Sequence, residues 1–196
     1  MKLADDIYVT ETEYLAHEVR SPVRHEYVAG RIHAMTGASL RHNVIALNIA
    51  SLLRNHLRGS PCRAFMADTK LRVAKTHSIY YPDVLVTCDP QHLSVGPADQ
   101  VVDNPRLIVE VLSESTAATD RREKLQAYRS LPTLLEYMLV SQDEALIEIH
   151  RRSGDIGWQL ATLTAGDPVE LKSVELLTDF AAIYEESGLP LQPGSD

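Results

Sequence analysis

The chain has 196 residues, 44% of them apolar and 23% charged, an ordinary globular composition with enough length for one well-buried core. Its 19 basic against 27 acidic side chains give a net charge of −8, which argues against an autonomous module that grips nucleic-acid phosphates non-specifically. No apolar run reaches the roughly 18 residues of a membrane span, and the N-terminus turns acidic at Asp5 and Asp6, where a signal peptide would become apolar. Cys62 and Cys88 stand far apart with no CxxC pairing, so neither a disulfide framework nor a cysteine-based zinc site is indicated. The expectation is a single domain over residues 1–196, cytoplasmic, with flexible tails at 1–6 and 188–196 and two reduced cysteines acting as small core residues.

Thr10 with Glu13 three positions on forms a capping box, so residues 10–19 are expected to form a short helix stopped by Ser21 and Pro22. Residues 25–35 read as two short strands turning at Ala29 and Gly30, with Glu26 in the first. A long helix is expected over 39–57, with Gly59, Ser60 and Pro61 as its stop signal. On that helix His42, Ile45, Ala46, Ile49, Leu52 and Leu53 share one face, so His42 extends the buried stripe at its N-terminal end.

Residues 62–73 read as a strand pair, 79–87 as a strand starting just after Pro82 or carrying it at an edge, and 89–103 as a loop. Residues 107–112 are a near-continuous apolar strand of the kind buried on both faces of a sheet. Asp120 with Glu123 marks a second helix start, running through Tyr128 to Ser130 before Leu131 and Pro132. Strands are expected at 135–140, 145–151 and 157–164, and a closing amphipathic helix at 177–186. Helices flanking a central mixed sheet make the class α/β or α+β.

Two of these apolar strands each carry a single carboxylate, Asp83 and Glu110, and an ionised group in such surroundings is costly unless a cation or hydrogen-bond donors hold it. On 107–112, strand periodicity puts Ile108, Glu110 and Leu112 on one face. If the Asp83 strand is its neighbour, the two acids converge on one cation, and oxygen-only ligation suits Mg2+ or Mn2+. Phosphodiester hydrolysis is the chemistry that uses such a site. Lys124 is the lysine best placed to join it, in the first turns of the helix that follows the Glu110 strand, with Tyr128 on the same face at i+4.

The residues alone leave other readings open. Asp83 after proline serves equally as a turn residue or cap, Glu110 as the partner of an arginine, and Lys124 as a helix-surface lysine. His42 and Glu26 are more often a hydrogen-bonded core histidine and a salt-bridged strand residue. Zinc-hydrolase, P-loop, dinucleotide-binding and GxSxG motifs are all absent from the sequence.

The ordered segments Glu26–Ile32, His42 on a helix, Tyr81–Val84, Asn104–Ser113, Asp120–Lys124, Tyr128, and Glu136 with Tyr137 resemble the Uma-type restriction endonuclease family of the PD-(D/E)XK nuclease superfamily. The resemblance spans about residues 10–151. It implies a restriction-endonuclease-like central mixed sheet and a Mg2+-dependent (or Mn2+-dependent) endonuclease acting on DNA. Asp83 and Glu110 would hold the metal, Lys124 would complete catalysis, and Glu26, His42 and Tyr128 would line the site. The expected partners are DNA and a second copy of the chain in a homodimer, with no membrane. The superfamily's lysine stands two residues after the glutamate, where this chain has Leu112, and the family supplies one from the next helix, which lands on Lys124. Glu114 stands where relatives commonly have proline between two serines. The alternative is a catalytically silent module on the same fold that binds nucleic acid or forms oligomers.

Overall fold

Turn chemistry and capping set the first half of the fold, seen in a computed structural model that describes residues 8–93, 96, 101–113, 117–154 and 157–191. Helix α1 (Glu11–Glu18) starts where Thr10 Oγ1 accepts the Glu13 amide and Glu13 accepts the Thr10 amide in return. β1 (His25–Val28) and β2 (Arg31–Ala34) form an antiparallel hairpin whose turn residues both have positive φ, Ala29 at 48° and Gly30 at 92°. α2 (Leu40–His56) is capped by Ser39, whose hydroxyl accepts the His42 amide, and it buries Ile45, Ala46, Ile49, Ala50 and Leu53 along one stripe.

Short strands follow: β3 (Arg63–Met66), β4 (Lys70–Val73), β5 (Ser78–Tyr80), β6 (Val84–Thr87), β7 (Val101–Val102) and the long β8 (Pro105–Leu112). α3 (Ala117–Thr119) passes through a π-helical turn over Asp120–Lys124 into α4 (Leu125–Arg129). Then come β9 (Glu136–Ser141), β10 (Leu146–Ser153), β11 (Gly157–Thr164), β12 (Pro168–Leu171), β13 (Leu176–Asp179) and α5 (Phe180–Ile183).

The central sheet has six strands in the order β11-β10-β9-β8-β6-β3 and is mixed, β8 running parallel to β9 and antiparallel to β6. One of its faces, with Val84, Val109 and Met138, packs on the α2 stripe and on Phe180 and Ile183 of α5. The opposite face, with Leu85, Ile108, Leu112 and Tyr137, packs on Ala127 and Tyr128 of α4 and on Leu71, Val73 and Tyr80 of a five-stranded sheet, β2-β1-β5-β4-β7. Each fully buried side chain of this size contributes about 1.5–3 kcal/mol relative to an exposed one, so β8, apolar on both faces, is the spine of the molecule. The mixed central sheet flanked by helices is the architecture expected from the sequence.

Several elements differ from expectation. β3 and β4 do not pair with each other; they enter different sheets. The 79–87 run is two strands, since Pro82 has no amide to donate and the chain leaves the five-stranded sheet at Tyr80 to join the central sheet at Val84. In place of a helix over 177–186 there is the hairpin β12-β13 followed by the four-residue α5. The helix of Lys124 begins at Ala117, so Asp120 lies within it and is not its cap.

The two cysteines are not free thiols. The register Arg63↔Thr87 between β3 and β6 places Cys62 across from Cys88, with Cα atoms 4.0 Å apart and the sulfurs bonded. A separation of 26 residues concealed adjacent strands, and the thiol argument for an intracellular location falls with it. Of the tails expected to be flexible, residues 1–6 and 192–196 lie outside the described residues, as do residues 114–116, which hold Glu114. Leu189 and Leu191, by contrast, pack against the core.

Glu136, buried at the start of β9, accepts from Arg151 Nε at 2.8 Å, from the Lys172 amide at 3.2 Å and from the Ser173 amide at 2.8 Å. It thereby fastens the β12-β13 connection to the central sheet. Glu136→Ala takes an acceptor from a half-buried guanidinium and from two amides and is expected to lower the unfolding free energy by about 2–4 kcal/mol, measured by urea denaturation.

Candidate functional site

The crossover at Tyr81, Pro82 and Asp83 generates the site. The register Val84↔Val109 continues one step to set Asp83 opposite Glu110, so the two side chains share a face of the sheet. Asp83 Oδ2 accepts the Val111 amide at 2.7 Å, taking over a ladder bond where β6 has ended, and lies 3.2 Å from His42 Nε2. His42 is held there by the Ser39 cap of α2, and Ser39 in turn donates to Gln142 Oε1 at 2.6 Å.

Glu110 Oε1 accepts the Tyr128 hydroxyl at 2.9 Å and stands 3.2 Å from Lys124 Nζ. The same ammonium lies 3.0 Å from Glu26 Oε1 on β1 and 3.1 Å from Asp120 Oδ1 one turn earlier, and 5.8 Å from the centre of the Tyr80 ring. Four elements thus meet at Lys124: a strand of each sheet, its own helix, and the Tyr80 end of β5.

Burial pushes the Glu110 carboxyl well above the usual range, against the pull of Lys124, and Asp120, Asp83 and Glu26 push it further in the same direction. Burial opposes charge on Lys124 too, but Glu110, Glu26 and Asp120 outweigh it and hold the ammonium well above its ordinary pKa. His42 is likewise penalised by burial, yet its bond to Asp83 raises it and favours the imidazolium. Tyr128 and Tyr137 are driven upward by burial and remain donors; Tyr137 gives its hydroxyl hydrogen to the Asp120 carbonyl at 3.2 Å.

These groups line a cleft of about 520 Å³ bounded by residues 35–39, His42, Tyr81, Asp83, Glu110, Asp120 and Lys124. A second lobe of about 400 Å³, lined by Glu26, His33, Tyr80 and Glu123, meets it at Met35, Thr36, Asp120 and Lys124. Asp83 is the more accessible of the opposed acids, its side chain 22% exposed against 5% for Glu110. The donor set facing the cleft is all oxygen, four carboxylates against one ammonium and one imidazole. Glu26 Oε1 and Asp120 Oδ1 are buried and have the Lys124 ammonium as their shared partner. Four carboxylates facing one ammonium and one imidazole leave surplus negative charge, which fits a hard divalent cation.

Every residue singled out from the sequence, Glu26, His42, Asp83, Glu110, Lys124 and Tyr128, lies in this one cluster. Glu110 pairs with a lysine where an arginine was one alternative, and Lys124 is 6% exposed, not a surface side chain. Two members were missed. Asp120 spaced three residues before Glu123 imitates a capping box, and its i,i+4 relation to Lys124 was the signal that could have found it. Tyr80 was read as one more apolar residue of a single strand.

Tyr128 is fully buried, with its ring set edge-on against Tyr80 and Tyr137. Tyr128→Phe keeps that packing and removes the bond to Glu110. It is expected to cost about 1–3 kcal/mol of stability, measured by urea denaturation.

Residues 11–183 match the Uma2 family, described as "Putative restriction endonuclease". Two uncharacterized proteins of Synechocystis sp. (strain ATCC 27184 / PCC 6803 / Kazusa), slr1290 and sll1609, are 39% and 33% identical over 172 residues, 88% of this chain in each case and 89% and 96% of the relatives. The crystal structure of a "putative nuclease belonging to DUF820" from Anabaena variabilis ATCC 29413 superposes with a TM-score of 0.69 at 16% identity, covering 90% of this chain and 97% of that one. That likeness shows a shared fold. The chain belongs to the Uma2 family.

Proposed function

We propose that the protein is a Mg2+-dependent (or Mn2+-dependent) endonuclease that hydrolyses phosphodiester bonds of DNA. One observation carries the reading: Asp83 and three carboxylates paired to one buried ammonium gather where the open cleft meets its second lobe, which leaves the site with surplus negative charge. Asp83 and Glu110 are the metal ligands in this reading, and the bound ion supplies the Lewis-acid charge that phosphoryl transfer needs.

The chain's own residues divide the remaining work. His42 and the Val111 amide fix the Asp83 carboxylate, while the Tyr128 hydroxyl fixes Glu110. Lys124 stays protonated, so it orients the attacking water and neutralises charge gathering on the phosphate as the water oxygen bonds to phosphorus and the bond to the leaving oxygen breaks, the proton that water sheds ending by way of solvent on the leaving oxygen. Glu26 and Asp120 keep Lys124 pointed at Glu110. Membership of the Uma2 family, described as "Putative restriction endonuclease", supports this assignment.

With a net charge of −8, DNA binding should lean on the metal and weaken with salt. Asp83→Asn is expected to abolish Mg2+-dependent cleavage of plasmid DNA while leaving the circular-dichroism spectrum unchanged, because the amide keeps the shape and loses the charge. DNA binding without cleavage by the unmodified protein in Mg2+ and Mn2+ would favour the silent binding module. Lys124→Met should lower turnover about 100- to 1,000-fold and, because Glu26, Glu110 and Asp120 lose their shared cation, also lower the melting temperature, with bound Mg2+ restoring part of that loss in a thermal-shift titration.

A further inference from the structure

A second group of metal-ligating side chains lies away from the cleft floor, where the C-terminal end of α1 meets the start of β1. His17 and Glu18 are the last residues of α1 and His25 is the first of β1, brought together by the turn over residues 19–24. Glu18 is fully buried; its Oε1 accepts the His25 amide at 2.8 Å and the Tyr81 hydroxyl at 2.9 Å, and its Oε2 lies 3.0 Å from His25 Nδ1. The two imidazole rings stand 5.6 Å apart at 65°. One ligand atom from each of the three residues falls within 4.8 Å of the other two.

We propose that His17, Glu18 and His25 bind one divalent transition-metal ion of the zinc class. The ligand chemistry selects the metal: two imidazoles and a carboxylate suit Zn2+, Co2+ or Ni2+, whereas the all-oxygen cleft suits Mg2+. Ligand atoms about 2.0–2.1 Å from a tetrahedral ion stand roughly 3.4 Å apart. Glu18 Oε2 and His25 Nδ1 are within a few tenths of an ångström of that spacing already, and His17, exposed at the helix end, has the freedom to close the remaining gap. His25 then carries its ring proton on Nε2, leaving the Nδ1 lone pair for the ion, and water completes the coordination.

Lys70 stands over the Tyr81 ring at 5.4 Å and already feels the charge of Glu18. A strongly hydrated Mg2+ therefore gains little here, while a metal that bonds imidazole nitrogen gains two further ligands. Such an ion would clamp α1 to β1. Through the Tyr81 hydroxyl on Glu18 it would also brace the crossover that ends at Asp83.

The test uses the full chain stripped with chelator and titrated with Zn2+ by calorimetry, and with Co2+ by visible absorption, in excess Mg2+ to keep the cleft carboxylates occupied. One equivalent should bind, raising the melting temperature. His17→Ala should weaken binding by about tenfold or more and abolish the melting shift with an unchanged circular-dichroism spectrum, and Asp83→Asn should leave both intact. Absence of stoichiometric binding overturns the proposal. So does undiminished binding by His17→Ala, or loss of binding in Asp83→Asn.

Discussion

An ammonium taken out of water is tolerated only where fixed negative charge replaces its hydration, and Lys124 meets that condition through Glu26, Glu110 and Asp120. The dependence runs both ways: without the lysine, three carboxylates would face one another in a poorly solvated space. Because Glu26 comes from the five-stranded sheet and Glu110 from the central one, this interaction also holds the two sheets in register across their shared face. Stability and site geometry are therefore one problem here, and a substitution that eases the charge balance also shifts the groups placed to do chemistry.

Most of the surrounding construction serves to bring those charges to one point. The π-helical turn over Asp120–Lys124 sits where the helix must offer Asp120, Lys124 and Tyr128 to the same side, and such turns recur where a helix is asked for something other than regular packing. From Leu107 to Leu112 the central β8 is apolar on both faces except at Glu110, so that carboxyl depends on Tyr128 and on Lys124, which it shares with Glu26 and Asp120. Ser39 begins α2 beside the cleft, and the cap that starts the helix also fixes His42 against Asp83.

Features written in local chemistry were legible in the sequence. The Thr10–Glu13 capping box, the Ala29–Gly30 turn, the α2 stripe and the doubly buried β8 each follow from residues within a few positions of one another. Asp83 and Glu110 stood out because a lone acid in an apolar strand has few structural uses. What escaped was non-local or disguised. The bend between β3 and β4 has Ala67 at φ 56° and the β12-β13 connection has Glu175 at φ 57°, so neither turn carries a glycine or asparagine to mark it. The apolar run continues across Pro82, which makes two strands of different sheets look like one. The cysteine pairing follows from a strand order that no local pattern encodes.

That pairing has a bearing on Asp83. Cys88 lies just beyond the far end of β6, four ladder steps from the crossover, tied to the edge strand β3. Strand slippage by a single residue would turn β6 over, exchanging its two faces, and would take Asp83 off the face it shares with Glu110. The covalent tie between Cys62 and Cys88 fixes the register of β6 against β3, so it behaves as a locating pin at one end of a short strand whose other end must present a carboxylate on the correct side.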